Sequence, residues 1–235
     1  MPFSWFHLLV LNSINYTLSK ILTDSDTFYT GNQAQDQYNR RIEKSIGQFD
    51  QTHSLKLSTL YELPVGRGKK WLSSGFASRV IGGWRVGAIM TYTAGFPLAL
   101  TRNNPFPIFN GPTRPVITTY NGWRAPTAGA EFDPNVDKYL DKNVFPAQPS
   151  DQFGNVTRFN PKLRSLPLFN ENVSLAKSFV ITEHKRLDFR WEAFNLFNRT
   201  QFGNPNVNLN ASTFGVISSQ ANTPRQMQGA LKLYW

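Results

Sequence analysis

The run Arg186-Leu187-Asp188-Phe189-Arg190-Trp191-Glu192-Ala193 sorts its residues by parity. Leu187, Phe189, Trp191 and Ala193 hold the odd positions; Arg186, Asp188, Arg190 and Glu192 hold the even ones. A β-strand turns successive side chains to opposite faces, so this period of two predicts a strand with one apolar and one charged face. A helix would scatter both classes around its circumference.

Five other segments carry the same signature. Upstream, Phe6, Leu8, Val10, Ile14, Tyr16 and Leu18, with Asn12 as the exception, oppose Ser13, Asn15, Thr17 and Ser19. Leu55, Leu57, Thr59 and Tyr61 oppose Lys56, Ser58 and Glu62. Trp84, Val86, Ala88, Met90 and Tyr92 oppose Arg85, Gly87 and Thr91, with Ile89 out of pattern. Val173, Leu175 and Phe179 oppose Asn172, Ser174 and Ser178, while Lys177 sits on the apolar side. At the end, Met227, Leu231, Leu233 and Trp235 oppose Gln226, Gln228, Lys232 and Tyr234. The expected fold is all-β: an antiparallel up-and-down meander of about six strands. They are placed near 5–20, 53–63, 83–100, 171–180, 184–197 and 225–235, each pairing with the next.

Composition narrows the classes. The chain has 235 residues, a net charge of +10 and only 17% charged residues, against 14% aromatics including 19 Phe. That balance excludes a solvated coil or long charged helix. With no cysteine there is no disulfide framework, no thiolate metal site and no thiol nucleophile. No run of about 18 apolar residues exists to form a spanning helix. The apolar opening Met1–Asn12 lacks the basic start and small-residue cleavage site of a signal peptide, and reads instead as the beginning of a strand.

The connections separate a soluble sheet from a membrane barrel. Segments 21–52, 102–170 and 198–224 are long and polar; 180–184 is very short; 63–82 is intermediate. Soluble sandwiches keep short turns at both ends, whereas outer-membrane barrels alternate short periplasmic turns with long outer loops. The 63–82 segment fits neither rule well. Aromatics fall at two levels, Tyr61, Trp84, Phe179 and Trp235 at one, Tyr16, Tyr92, Phe96, Phe194 and Phe197 at the other, as interfacial girdles require.

Catalytic chemistry has little to stand on, and the chain is not expected to be an enzyme. His7, His53 and His184 are far apart with no carboxylate at ligand spacing. Gly66-Arg67-Gly68-Lys69-Lys70 lacks the spacing of a phosphate loop. Asp188 and Glu192 are interleaved with Arg186 and Arg190, which keeps both ionised and makes a polar ladder rather than an acid–base pair. With Gln226, Gln228 and Lys232 on the last strand, these form the expected lumen-facing set. Asp133, Asn135, Asp137 and Asp141 offer oxygens for calcium, but the glycine of the EF-hand pattern is missing. Neither cofactor nor metal is expected. Tyr120, Trp123, Arg124 and Tyr139 in the longest loop are candidate contacts for a sugar or an anion, with packing of the loop on itself as their competing role.

Several ordered stretches resemble the C-terminal barrel of Oar-like TonB-dependent outer-membrane receptors, the group with a carboxypeptidase-regulatory-like domain upstream. They are Asn15-Tyr16-Thr17-Leu18-Ser19-Lys20, Phe49-Asp50-Gln51-Thr52-His53, Tyr61-Glu62-Leu63-Pro64-Val65-Gly66-Arg67-Gly68-Lys69, Gly83-Trp84 and Thr93-Ala94-Gly95-Phe96-Pro97. Arg190-Trp191-Glu192-Ala193-Phe194-Asn195-Leu196-Phe197-Asn198, Phe202-Gly203-Asn204-Pro205-Asn206, Thr213-Phe214-Gly215 and Pro224-Arg225-Gln226-Met227-Gln228 continue the series. The closing Leu231, Leu233 and Trp235 resemble the aromatic signal read by the barrel assembly machinery. The resemblance implies a barrel of about 22 strands filled by a plug, in the outer membrane of a Gram-negative-type bacterium. Its implied partners are outer-membrane lipid, the assembly machinery and, through a region absent from this sequence, the TonB system; nucleic acid is not among them. Residues 1–235 would be part of such a barrel, without plug, TonB box or signal peptide, contributing to energy-coupled uptake. Six strands do not close a spanning barrel, for which about eight are the minimum. With Trp235 at the periplasmic face, 21–52, 102–170 and 198–224 lie outside. The alternative, drawn from the basic charge, is a soluble β-domain binding a polyanion.

Overall fold

Alternation becomes strand wherever both of its faces can be sorted. The computed structural model describes residues 10–26, 34–36, 38–66, 69, 71–104, 113–119, 123–124, 132–149 and 151–235. Its strands are β1 (Val10–Leu18), β2 (Leu22–Thr23), β3 (Ser45–Ile46), β4 (His53–Glu62), β5 (Trp84–Thr93), β6 (Leu168–Val180), β7 (Arg186–Phe194) and β8 (Gln226–Tyr234). One short helix, α1, covers Phe76–Ile81. The six long strands form one antiparallel sheet in the order β1-β4-β5-β6-β7-β8, so each pairs with the next long strand in sequence. The small strands β2 and β3 pair with each other inside the first long loop.

The register keeps most of the apolar residues on one face and most of the polar ones on the other. Leu57 lies opposite Met90, Ala88 opposite Val173, and Leu175 opposite Trp191, all on one face. Lys56 opposite Thr91, Ser174 opposite Glu192, and Asp188 opposite Lys232 share the other. A slip of one residue anywhere would exchange these faces, which fixes the pairing.

Among the described residues, three boundaries differ from the sequence reading by three residues or more. The strand expected over 83–100 stops at Thr93. Beyond it Gly95 passes so close to Ser165 that a Cβ there would meet its carbonyl oxygen at 1.9 Å. The Leu98 N–H donates to the Leu163 carbonyl, so the chain has already joined the loops. Conversely, β6 begins at Leu168, three residues early, because Thr93 and Tyr92 need partners. At the end of β7, Asn195 and Asn198 both adopt left-handed conformations, with φ of 52° and 51°. Asparagine tolerates this region better than other side chains, and the Asn195-Leu196-Phe197-Asn198 motif thereby becomes the turn that stops the strand.

The hydrophobic core is not on the sheet. Leu98, Leu100, Ile117, Trp123, Tyr139, Leu140, Val156, Leu163, Phe214 and Ile217 form the buried cluster, all from the second and third long loops. Phe132, Phe145 and Phe202 pack around it edge-to-face at centroid distances of 5.7–6.4 Å. Among the described residues no second layer covers the apolar face of the sheet. Leu140 is 2% exposed at the centre of this loop body, so Leu140→Ala should cost it about 2–5 kcal/mol. Limited proteolysis should then cleave 98–167 readily while the strands stay protected.

Candidate functional site

Three surfaces bear on function: the polar face of the sheet, its apolar face, and the body built by the long loops. On the polar face the expected ladder forms as neighbouring ion pairs. Arg186 lies 3.1 Å from Asp188, and Arg190 pairs with Glu192. Across the strand, Gln228 Nε2 donates to Glu192 Oε2 at 2.6 Å, and Lys232 lies opposite Asp188. The Arg186 guanidinium and Lys232 ammonium both sit over the Tyr234 ring, at 4.4 and 4.8 Å from its centroid. Gln226 is opposite Phe194, which places Phe194 on the polar face rather than in the outer aromatic level. Each ladder carboxylate has a cation beside it.

The apolar face carries two aromatic bands. At one end Trp84 meets Phe189 edge-on at 5.8 Å, with Phe179 and Tyr61 nearby in register. At the other, Tyr16 stacks on His53 and hydrogen-bonds its Nδ1 at 2.8 Å, while Tyr92 packs on Phe169 at 5.8 Å. From Trp84 to Tyr92 the strand rises about 26 Å, or roughly 20 Å along the normal of a barrel whose strands tilt by about 40°. Phe169 therefore supplies what Phe194 does not. Leu231, Leu233 and Trp235 share this face on the edge strand and are exposed.

The loop body accounts for most of the other candidates. Tyr139 is fully buried, donates its hydroxyl to the Arg164 carbonyl at 2.7 Å, and carries Arg124 over its ring at 5.2 Å. Trp123 is buried edge-on against Phe145. Neither ring has a face open to a ligand; packing is their role, and only Arg124 is exposed. Tyr120, like His7, lies outside the described residues. The Asp133 carboxylate accepts from the Asn135 N–H, the Asp137 carboxylate from the Asp133 N–H, and the Asp141 carboxylate from the Asn143 N–H, so these acids shape turns. Among the described residues no three histidine or acidic groups gather as metal ligands.

What sequence reasoning missed is the clasp between the first and second long loops. Arg114 makes two hydrogen bonds to Glu43, at 2.7 and 3.0 Å, with both side chains buried. Gln35 closes this pair, donating to Glu43 from its backbone and to the Gly154 carbonyl from its amide. Arg158 reaches Asp26 at 3.1 Å and Arg164 reaches Asp50 at 2.5 Å. A fourth arginine, Arg199, holds the buried Glu171 at the head of β6. No local motif marks these pairs. Only the acids of 21–52 facing arginines of 113–164 on the same side of the sheet hinted at them.

The family of the chain follows from comparison with known proteins. A family model described as an outer membrane beta barrel domain matches residues 9–228. The chain belongs to that family. Neither a curated protein nor a solved structure matches it. The six-stranded meander is thus outer-membrane barrel wall, and its bare apolar face has a physical explanation: hydrocarbon replaces the missing protein layer.

The clasp has a pH signature. Burial opposes ionisation of Asp50, but hydrogen bonds from Arg164, the Ile21 N–H and Thr52, together with the Arg164 charge, hold its carboxyl below the ordinary 3.8. A depressed folded-state value stabilises at pH above 3.8 and is lost as pH falls through that lower value. The melting temperature of the loop body should therefore be flat from neutrality down to mild acidity and drop in strong acid. Asp50→Asn should remove that contribution at neutral pH and flatten the acid limb.

Proposed function

We propose that this barrel wall belongs to a TonB-dependent outer-membrane receptor of the Oar-like kind, contributing to energy-coupled uptake of a solute. The observation that carries the reading is the division of labour just described. The loops own the hydrophobic core, the sheet has a bare apolar band between two aromatic levels, and its opposite face is a compensated polar ladder. Arg186, Asp188, Arg190, Glu192, Gln226, Gln228 and Lys232 line the lumen in this reading, where paired charges hydrate the passage without a strong field of one sign. The loop body caps it on the outer side. Energy coupling would act through the plug that the resemblance implies for such receptors. Trp235 ends the periplasmic side, where Leu231, Leu233 and Trp235 serve the assembly machinery.

A soluble polyanion-binding domain would need free guanidinium groups gathered on one face. Arg114, Arg158 and Arg164 are instead committed to Glu43, Asp26 and Asp50.

Charge insertion tests the membrane face. Trp191 lies opposite Leu175 near mid-strand, and Leu187 lies opposite Phe179 at the short-turn end. Arginine near the bilayer midplane costs about 2–4 kcal/mol, but only about 0–1 near an interface. Trp191→Arg should block heat-resistant barrel assembly in outer-membrane fractions, whereas Leu187→Arg should assemble nearly normally. Phe189 is level with Trp84 and Lys177, so Phe189→Arg should fall between them. Equal damage from all three would remove the lipid assignment.

Orientation has its own test. Val136 is 82% exposed in a turn of the loop body. A peptide tag inserted there should be labelled by antibody on intact cells. Labelling seen only after outer-membrane permeabilisation would reverse the topology.

A further inference from the structure

The 63–82 connection is too long for a simple turn, and its described residues, 63–66, 69 and 71–82, are folded. Its backbone crosses itself where Gly66 and Gly82 touch: a Cβ on Gly82 would lie 2.2 Å from the Gly66 Cα. Val65 and Trp71 form an isolated bridge, and the Gly83 N–H donates to the Val65 carbonyl at 3.1 Å. From this knot α1 reaches the apolar side of the sheet. Lys177, an apolar-face position, is 2% exposed because its ammonium donates to the Arg79 and Val80 carbonyls at 2.7 and 2.5 Å. The same ammonium lies over the Phe179 and Trp84 rings, 4.6 and 5.3 Å from their centroids. A cation on this face is thus spent on seating a helix end.

The seated segment is apolar where it is exposed. Phe76 is 82% exposed, and Val80 and Ile81 one helical turn on, with Trp71 and Leu72 ahead of it, are about half exposed. Residues 63–82 also contain Arg67, Lys69, Lys70 and Arg79 and no acid. This patch continues the apolar band of the sheet at its Trp84 end. Lys69 pairs with Glu62 at 3.2 Å, and exposed rings and aliphatic groups in a segment whose sequence is otherwise net basic match the chemistry of an anionic lipid interface.

We infer that 63–82 is an interfacial anchor, with α1 laid on the lipid side of the barrel rim and Phe76, Val80 and Ile81 inserted at the headgroup boundary of the anionic phospholipid leaflet on the periplasmic side. The inference rests on the lipid assignment of the apolar face. It gives Lys177 a positioning role, since the cation fixes the helix that carries the inserted residues.

The absence of cysteine makes the test clean. The full chain is folded into vesicles of phosphatidylcholine with phosphatidylglycerol, bearing one environment-sensitive fluorophore on Phe76→Cys, Phe189→Cys or Glu183→Cys. Nitroxide-labelled lipids act as shallow quenchers. The label at 76 should lose about half its emission and shift to the blue, while the label at 183, in the neighbouring turn, should stay aqueous. Adding Lys177→Ala should reduce the quenching at 76 at least about twofold and leave 189 unchanged. Replacing the phosphatidylglycerol with phosphatidylcholine should weaken the quenching at 76 alone. Quenching at 189 with none at 76 would overturn the anchor and leave the lipid face standing. No quenching at either position would overturn both.

Discussion

A sheet face with no second layer over it among the described residues is the constraint around which this molecule is organised. Leu57, Met90, Val173, Leu175 and Trp191 stand in register on one side of the six-stranded sheet and, among the described residues, meet no opposing layer. Burying one such side chain is worth about 1.5–3 kcal/mol, so a row of them left in water would be incompatible with a stable fold. The medium has to supply the burial, and only hydrocarbon does. Once that is granted, the rest follows: backbone groups must be satisfied within the sheet, polar side chains must turn to the other face, and a core that stabilises the protein in water must be built elsewhere.

That core is in the loops, and the loops need charge to hold their shape. Among the described residues, ten buried apolar side chains from two connections make its centre, and the first long loop contributes none of them. It is attached by arginine–carboxylate pairs instead. Arg114–Glu43 is closed off from solvent, so its energy comes from bidentate geometry and the backbone bonds added by Gln35 rather than from bare Coulomb attraction. Arg158–Asp26 at 3.1 Å and Arg164–Asp50 at 2.5 Å are single carboxylate contacts further along the seam.

The strands were legible because period two is a local property. The Arg186–Ala193 run needed no knowledge of its neighbours, and the same held for β4 and β5. Lys177 was visible as an anomaly on the apolar side, but the carbonyls that satisfy it are almost a hundred residues away in sequence. The loop body was opaque for the same reason. Trp123 and Tyr139 look alike in a sequence whether they wait for a ligand or fill a core; burial by Phe132, Phe145 and Phe214 decides it. Phe194 was misplaced because its position near a strand end suggested a level, whereas its parity set its face.

The sequence distances across the clasp carry a consequence for how such a wall is made. Gln35 and Gly154 are 119 residues apart, and Arg158 and Thr23 are 135 apart. Contacts at such separations cost less to close once β1, β4, β5 and β6 have fixed the ends of the loops. In the proposed orientation the loops cross the bilayer as flexible chain and fold only on the far side. The finished body is then far too bulky and too polar at its seam to travel back. Folding outside acts as a ratchet, turning a reversible insertion of hairpins into a one-way event without any energy source in the membrane itself.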